Sequence, residues 1–237
     1  MTEAPRSAVS PRLKVLTIRT GPFQENCYLV VDEDTKQGLL LDPGADPVVI
    51  ADVVGGEAAL VGHILLTHGH FDHVGAVAEL TRTLHLTAHC HENEVKLIRR
   101  APFYAIRFVK RRFESPSDVV PFSDGPILDG ADFAIQTIHT PGHTSGSVCY
   151  ALGGYLFTGD TLFHRFVAPT NYPESEPKRL SQSIDELLAS TLSPDTILLP
   201  GHGRPWVLGA AREWWAVNRS QATAFQIGRQ ASSKVEE

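Results

Sequence analysis

Thr67-His68-Gly69-His70-Phe71-Asp72-His73 places three imidazoles and a carboxylate within six consecutive residues. The apolar run His63-Ile64-Leu65-Leu66 precedes it and reads as a buried strand. Val74, Val77, Ala78 and Thr81 follow with helical spacing, so a helix is expected from Val74 to Thr83. The cluster therefore falls on a strand-to-helix loop, where a rigid scaffold presents chemistry. On a regular helix His68 and His70 would face nearly opposite ways, whereas an irregular loop lets them converge. Neutral imidazole and carboxylate are ligands for zinc, and for iron or manganese in harder sites. His63 stands at the start of the strand, away from the cluster.

Partners for these ligands lie downstream. His143 sits in Thr140-Pro141-Gly142-His143-Thr144, after the alternation of Phe133, Ile135 and Thr137. Asp160 ends Leu156-Phe157-Thr158-Gly159-Asp160, and His202 ends Ile197-Leu198-Leu199-Pro200-Gly201-His202. Each falls just past an expected strand, as the first cluster does. A polar loop rich in histidine by chance would not find that pattern repeated.

With these stretches in view, the chain resembles the metallo-β-lactamase-fold hydrolases, and most of all the short relatives of glyoxalase II. Gly21 to Tyr28, Asp42-Pro43-Gly44, the histidine cluster, Thr140 to Ser147, Phe157 to Phe163 and Pro200 to Gly203 carry the resemblance. It implies an α/β fold, the four-layer αββα sandwich of two mixed sheets flanked by helices. It also implies two divalent metal ions, zinc first, with iron or manganese as alternatives. His68, His70 and His143 would hold one ion, Asp72, His73 and His202 the other, and Asp160 would bridge them. Asp72 and Asp160 are the catalytic carboxylates on this reading. The implied reaction is hydrolysis, with a hydroxide between the metals attacking an acyl carbon. The implied substrate is a thioester of the hydroxyacylglutathione type or a related small ester. Persulfide dioxygenase, with one iron on residues matching His68, His143 and Asp160, is an alternative; so is a lactonase or a ribonuclease on the same fold. In glyoxalase II a glycine-rich segment with a following basic residue holds glutathione. Here His164 to Tyr172 stands in its place, and His164, Arg165 and Tyr172 become candidate substrate contacts by position.

Composition narrows the class. The 237 residues suit one domain, expected over residues 11–230 between a disordered tail at 1–10 and a polar tail at 231–237. A net charge of −6 argues against nucleic acid as a partner; the resemblance implies a small acyl molecule instead. Cys27, Cys90 and Cys149 are too scattered for a disulfide framework. No apolar run reaches membrane-spanning length and no signal sequence opens the chain, so a cytoplasmic protein is expected.

Other stretches carry weaker signals. Leu13 to Ile18 reads as an edge strand, Asn26 to Val31 as the next, and Pro47 to Val54 as a helix. Asp42 by type is a ligand, but its position suits a partner that orients the metal loop. Leu84 to Ala88 reads as a strand. His89 and His91 around Cys90 suggest a further metal site but lack a completing ligand. Glu92 to Phe113 interleaves basic and aromatic residues, Arg107 among them, and suggests a helical lid bent at Pro102. Ser115 to Asp124 and His164 to Lys178 read as loops. In the final helix Ala210, Trp214 and Val217 would form the buried stripe.

Overall fold

The computed structural model describes residues 12–123 and 133–233, with side chains through residue 222. The tail expected at 1–10 lies outside the described residues, and so does the end of the one expected at 231–237.

The first half builds one mixed sheet. Its strands are β1 (Leu13–Thr20), β2 (Glu25–Asp32), β3 (Gln37–Leu41), β4 (Leu60–Leu65), β5 (Thr87–His91) and β6 (Val119–Phe122), paired in that order. β1 pairs with β2 and β2 with β3 antiparallel, and β3 through β6 run parallel. The parallel strands need crossovers. These are α1 (Pro47–Gly56), the pair α2 (Phe71–Val74) and α3 (Val77–Leu84), and α4 (Val95–Val109). The second half repeats the plan with β7 (Gln136–His139), β8 (Val148–Leu152), β9 (Tyr155–Gly159), the short ribbon β10 (Leu162–Phe163) and β11 (Phe166–Val167), α5 (Pro177–Leu188), β12 (Ile197–Pro200), β13 (Trp206–Val207) and α6 (Leu208–Ser233). Its sheet has the order β13-β12-β9-β8-β7, with β9 and β12 parallel.

Strand β2 shows why the layers stack as they do. All its residues are buried. Cys27, Leu29 and Val31 pack under the helices of the first half, while Tyr28 and Val30 face the other sheet. Period-two alternation thus feeds two cores from one strand. Between the sheets, Leu39, Leu41 and Leu65 meet Val148, Tyr150, Phe157 and Leu199. A third core joins α5 and α6 to the second sheet. The result is the four-layer αββα sandwich.

The structure corrects several local readings. Leu84 ends α3 and His85 caps it in the left-handed region at φ 57°, so β5 begins three residues later than expected. Ser115 to Asp124 is not all loop, because Val119–Phe122 adds an edge strand beside β5. Pro121 is tolerated there because nothing pairs beyond the edge. The segment read as loop from His164 contains β11. Helix α4 passes unbroken through Pro102, which frees the carbonyl of Ile98 four residues back. Ser115 Oγ donates to that carbonyl at 3.3 Å. In α6 the buried stripe is Leu208, Ala211 and Trp215, while Val217 is 81% exposed. Trp215 turns inward because its Nε1 donates to Asp185 Oδ1 of α5 at 2.8 Å.

Candidate metal centre

Strands β3, β4, β9 and β12 all end at one rim of the sandwich. Asp42 follows β3, the histidine cluster follows β4, Asp160 follows β9 and His202 follows β12. The turn between β7 and β8 adds His143. The two sheets therefore deliver the sequence-predicted ligands to a shared point from opposite sides.

Each of the five histidines is held at one ring nitrogen. Nδ1 of His68 bonds Thr67 Oγ1 at 3.1 Å, and that hydroxyl donates to Asp42. Nε2 of His70 donates to Glu174 Oε1 at 2.9 Å. Nδ1 of His73 donates to Asp42 Oδ2 at 3.0 Å. Nδ1 of His143 donates to the Pro169 carbonyl at 2.9 Å, and Nδ1 of His202 to that of Phe23 at 3.3 Å. Such partners fix the tautomer and leave a lone pair on the opposite nitrogen. Asp42 also accepts the backbone N–H of Thr67 at 2.7 Å, so it is occupied in holding the loop.

The remaining nitrogens form two groups. Nε2 of His68 and Nε2 of His143 lie 3.1 and 2.9 Å from Nδ1 of His70. With these tautomers three lone pairs point at one another, an arrangement that repels until a cation occupies the centre. His73, His202 and Asp72 make the second group, with His202 Nε2 3.4 Å from Asp72 Oδ2. Asp160 lies between the groups. Its Oδ2 is 3.5 Å from His143 Nε2 and 3.8 Å from His202 Nε2, and its Oδ1 is 3.3 Å from His73 Nε2. Asp160 Oδ1 and His73 Nε2 are both buried without a hydrogen-bond partner, which is costly unless something else coordinates them. The donor set thus fits divalent cations.

The electrostatics agree. Burial, reinforced by the neighbouring imidazoles, pushes His68 well below its usual range and His143 down to about 4, so both stay neutral. Burial would raise Asp160, but positive charge on His202 and His73 outweighs it and holds the carboxyl well below the usual range. Burial alone would lower His73, yet Asp160 draws it well above normal. The carboxylate demands positive charge beside it. Gly201 keeps that space open: a Cβ there would lie 2.3 Å from Asp160 Oδ1 and 2.6 Å from His73 Cε1.

Beside the ligands opens a cavity of about 260 Å³ that includes Tyr104 and Phe108 of α4 and Tyr172. The Tyr172 ring lies against that of His70 at a tilt of 52°, with centroids 4.9 Å apart. Helix α4 thus walls the site, but Arg107 lies on its exposed face outside the cavity. His164 instead packs on Trp206 at 5.2 Å, and Arg165 occupies the β10–β11 turn at φ 56°. Neither lines the cavity. His89 pairs with His63 at 3.1 Å and His91 stacks on His139 at 4.4 Å; among the described residues no third ligand completes a site there.

Sequence reasoning missed two carboxylates. Glu174 supports His70. Glu94 is buried between the two histidine loops, accepting Gly69 N–H at 2.7 Å and Gly146 N–H at 2.6 Å. Burial raises its pKa despite those bonds. The signal available for Glu94 was an acidic residue directly before an amphipathic helix.

The metallo-beta-lactamase superfamily profile matches residues 20–202. The probable metallo-hydrolase YqgX of Bacillus subtilis is 32% identical over 77% of this chain and 87% of its own. The hydroxyacylglutathione hydrolase GloC of Haemophilus influenzae is 31% identical over 83% of this chain and 94% of its own. The di-iron-bound structure of TTHA1623 superposes with a TM-score of 0.74 at 36% identity, covering 85% of this chain and 97% of that one. Sequence, ligand geometry and fold agree: the chain belongs to the metallo-beta-lactamase superfamily, whose members bind divalent metals.

Proposed function

We propose that the protein is a dinuclear metal-dependent hydrolase of activated acyl compounds, thioesters or related small esters. One observation carries this reading. Five imidazoles, each tied at one nitrogen, present the other in two groups with Asp160 between them. Bound there, two divalent ions would supply Lewis acidity and bring a water molecule toward ionisation near neutral pH.

The chain's own residues do the rest. Asp160, standing between the two groups of ligands, would offset the repulsion between cations held there. Asp72, beside His202, accepts a hydrogen bond from the attacking water and orients it. Asp42, Thr67 and Glu174 hold the imidazoles in the tautomers that ligation needs. A thiolate leaving group needs no positioned acid, because its conjugate acid ionises at about pH 8.5. That favours thioesters over amides. The likeness to the hydroxyacylglutathione hydrolase supports the same reaction class.

Elemental analysis of the purified protein, followed by a panel of thioesters, lactones and glutathione persulfide, tests the reading. Two metals per chain and thioester hydrolysis are expected, both lost in Asp160→Ala. His63→Ala should keep its metals. A single tightly held iron with oxygen uptake on the persulfide would overturn the hydrolase.

A further inference from the structure

We infer that the part of the substrate beyond the reacting carbonyl is uncharged and apolar, a compact alkyl or aryl group rather than an ionised peptide tail. This rests on the acyl-hydrolase reading of the same site and specifies what that site accepts.

The walls of the 260 Å³ cavity come from three separate places in the chain. Phe23 arrives from the β1–β2 turn, Phe108 from α4, and Phe163 with Phe166 from the β10–β11 ribbon. They form two aromatic groups that line the cavity. Phe108 stacks on Phe71 at 6.1 Å, Phe23 meets Phe71 edge-on at 5.7 Å, and Phe163 stacks on Phe166 at 6.4 Å. Phe163 also lies 5.7 Å from the His202 ring, so the aromatic wall reaches the ligand set itself. Phe23, Phe108 and Phe166 are 49%, 52% and 43% exposed. Large aromatics left in water around a concave site gain stability when an apolar ligand covers them.

Charge points the same way. Among the described residues no Lys or Arg lines the cavity. Its polar lining is five of the candidate ligands with Tyr104, Tyr172 and Glu174, and Glu174 is a carboxylate that would repel an anion. Against the aromatic wall, away from the ligands, a substrate carboxylate would be desolvated with no side-chain cation beside it, which disfavours it there. The cavity is also small for a ligand site, just below the usual range of about 300 to 1,000 Å³. A second cavity of about 320 Å³ lies beyond the Phe23–Phe71 pair and includes Arg82, Arg111 and Arg112. It also includes Asp46, Glu79 and Glu114, so it has no clear preference for anions.

The test compares two thioesters of one acyl group and matched length, one with an uncharged aryl thiol and one whose thiol carries a carboxylate. With metal-loaded enzyme, kcat/KM should favour the uncharged partner at least tenfold. Phe108→Ala and Phe166→Ala should each raise its KM fivefold or more, with kcat within twofold and metal content unchanged. Equal or better turnover of the carboxylate partner would overturn the inference, and so would a KM for it that rises on Arg107→Glu or Arg112→Glu. Calorimetric binding of the matching uncleavable thioethers separates this from failure of the hydrolase reading. If neither thioester is cleaved, tighter binding of the uncharged thioether, lost in Phe108→Ala, still supports the inference, and equal affinities still refute it.

Discussion

The carboxylate of Glu174 accepts a hydrogen bond from Nε2 of His70 at 2.9 Å, although the two residues are 104 apart in sequence. The bond fixes which nitrogen of His70 faces His68 and His143. Glu174→Ala is expected to weaken metal affinity about 10- to 100-fold, the usual cost of losing such a partner. Glu174→Gln, which keeps an acceptor, should lose less. Chelator competition on the two variants measures the difference. Equal affinity in Glu174→Ala and the unmodified protein would show that His70 is positioned by packing alone.

Glu94 ties the loop of His68 and His70 to the loop of His143 through two backbone N–H groups. Glu94→Ala leaves both donors buried and unpaired, at a cost of about 1–3 kcal/mol each. Denaturant unfolding should show a loss of that size, with metal content falling in parallel. Retention of full stability would mean that water replaces the carboxylate without penalty.

Gly201→Ala inserts a methyl group where Asp160 and His73 already stand. The fold should survive, because the glycine lies at the rim and has no left-handed backbone requirement. Activity and metal binding should fall together. Circular dichroism with elemental analysis separates this outcome from simple unfolding.

Acid should destabilise the protein partly through His89. Burial pushes its pKa down to about 4, and His63 beside it is lowered for the same reason. In the unfolded chain the imidazole ionises at about 6.5. The folded-state value is the lower one, so the unfolded chain binds more protons between those values. The stabilising contribution is fully present above about pH 6.5 and is lost as pH falls toward 4. Unfolding midpoints between pH 7.5 and 4.5 should therefore drop more steeply for the unmodified protein than for His89→Gln. Parallel curves would place the acid sensitivity elsewhere.

The candidate ligands were legible as a group because each follows an expected strand, and strand ends at one rim are where such sheets bring chemistry together. The partners Glu94 and Glu174 were not legible, since their contacts depend on how distant loops pack. Strand β5 was placed too early because Leu84 and Leu86 look like strand residues, whereas Leu84 closes α3. Strand β6 has only four residues and contains Pro121, so pairing rather than propensity defines it. At Trp214 and Trp215 helical periodicity could not decide which indole faces inward. The hydrogen bond to Asp185 decides it. Arg107 suggested a contact by charge alone, but helix geometry turns it to solvent while Phe108, one residue on, reaches the cavity.

The ligands are divided between the two halves of the chain: His68, His70, Asp72 and His73 come from the first sheet, and His143, Asp160 and His202 from the second. Neither half can assemble either group alone with Asp160 in place. Cations seated between them would act as rivets across the sheet-to-sheet seam, closing a loop that spans most of the polypeptide. Their binding energy is then cohesion between the layers, and it appears as stability by mass action. A chelator should loosen the seam before it melts either sheet, and two separately expressed halves should need metal to find each other.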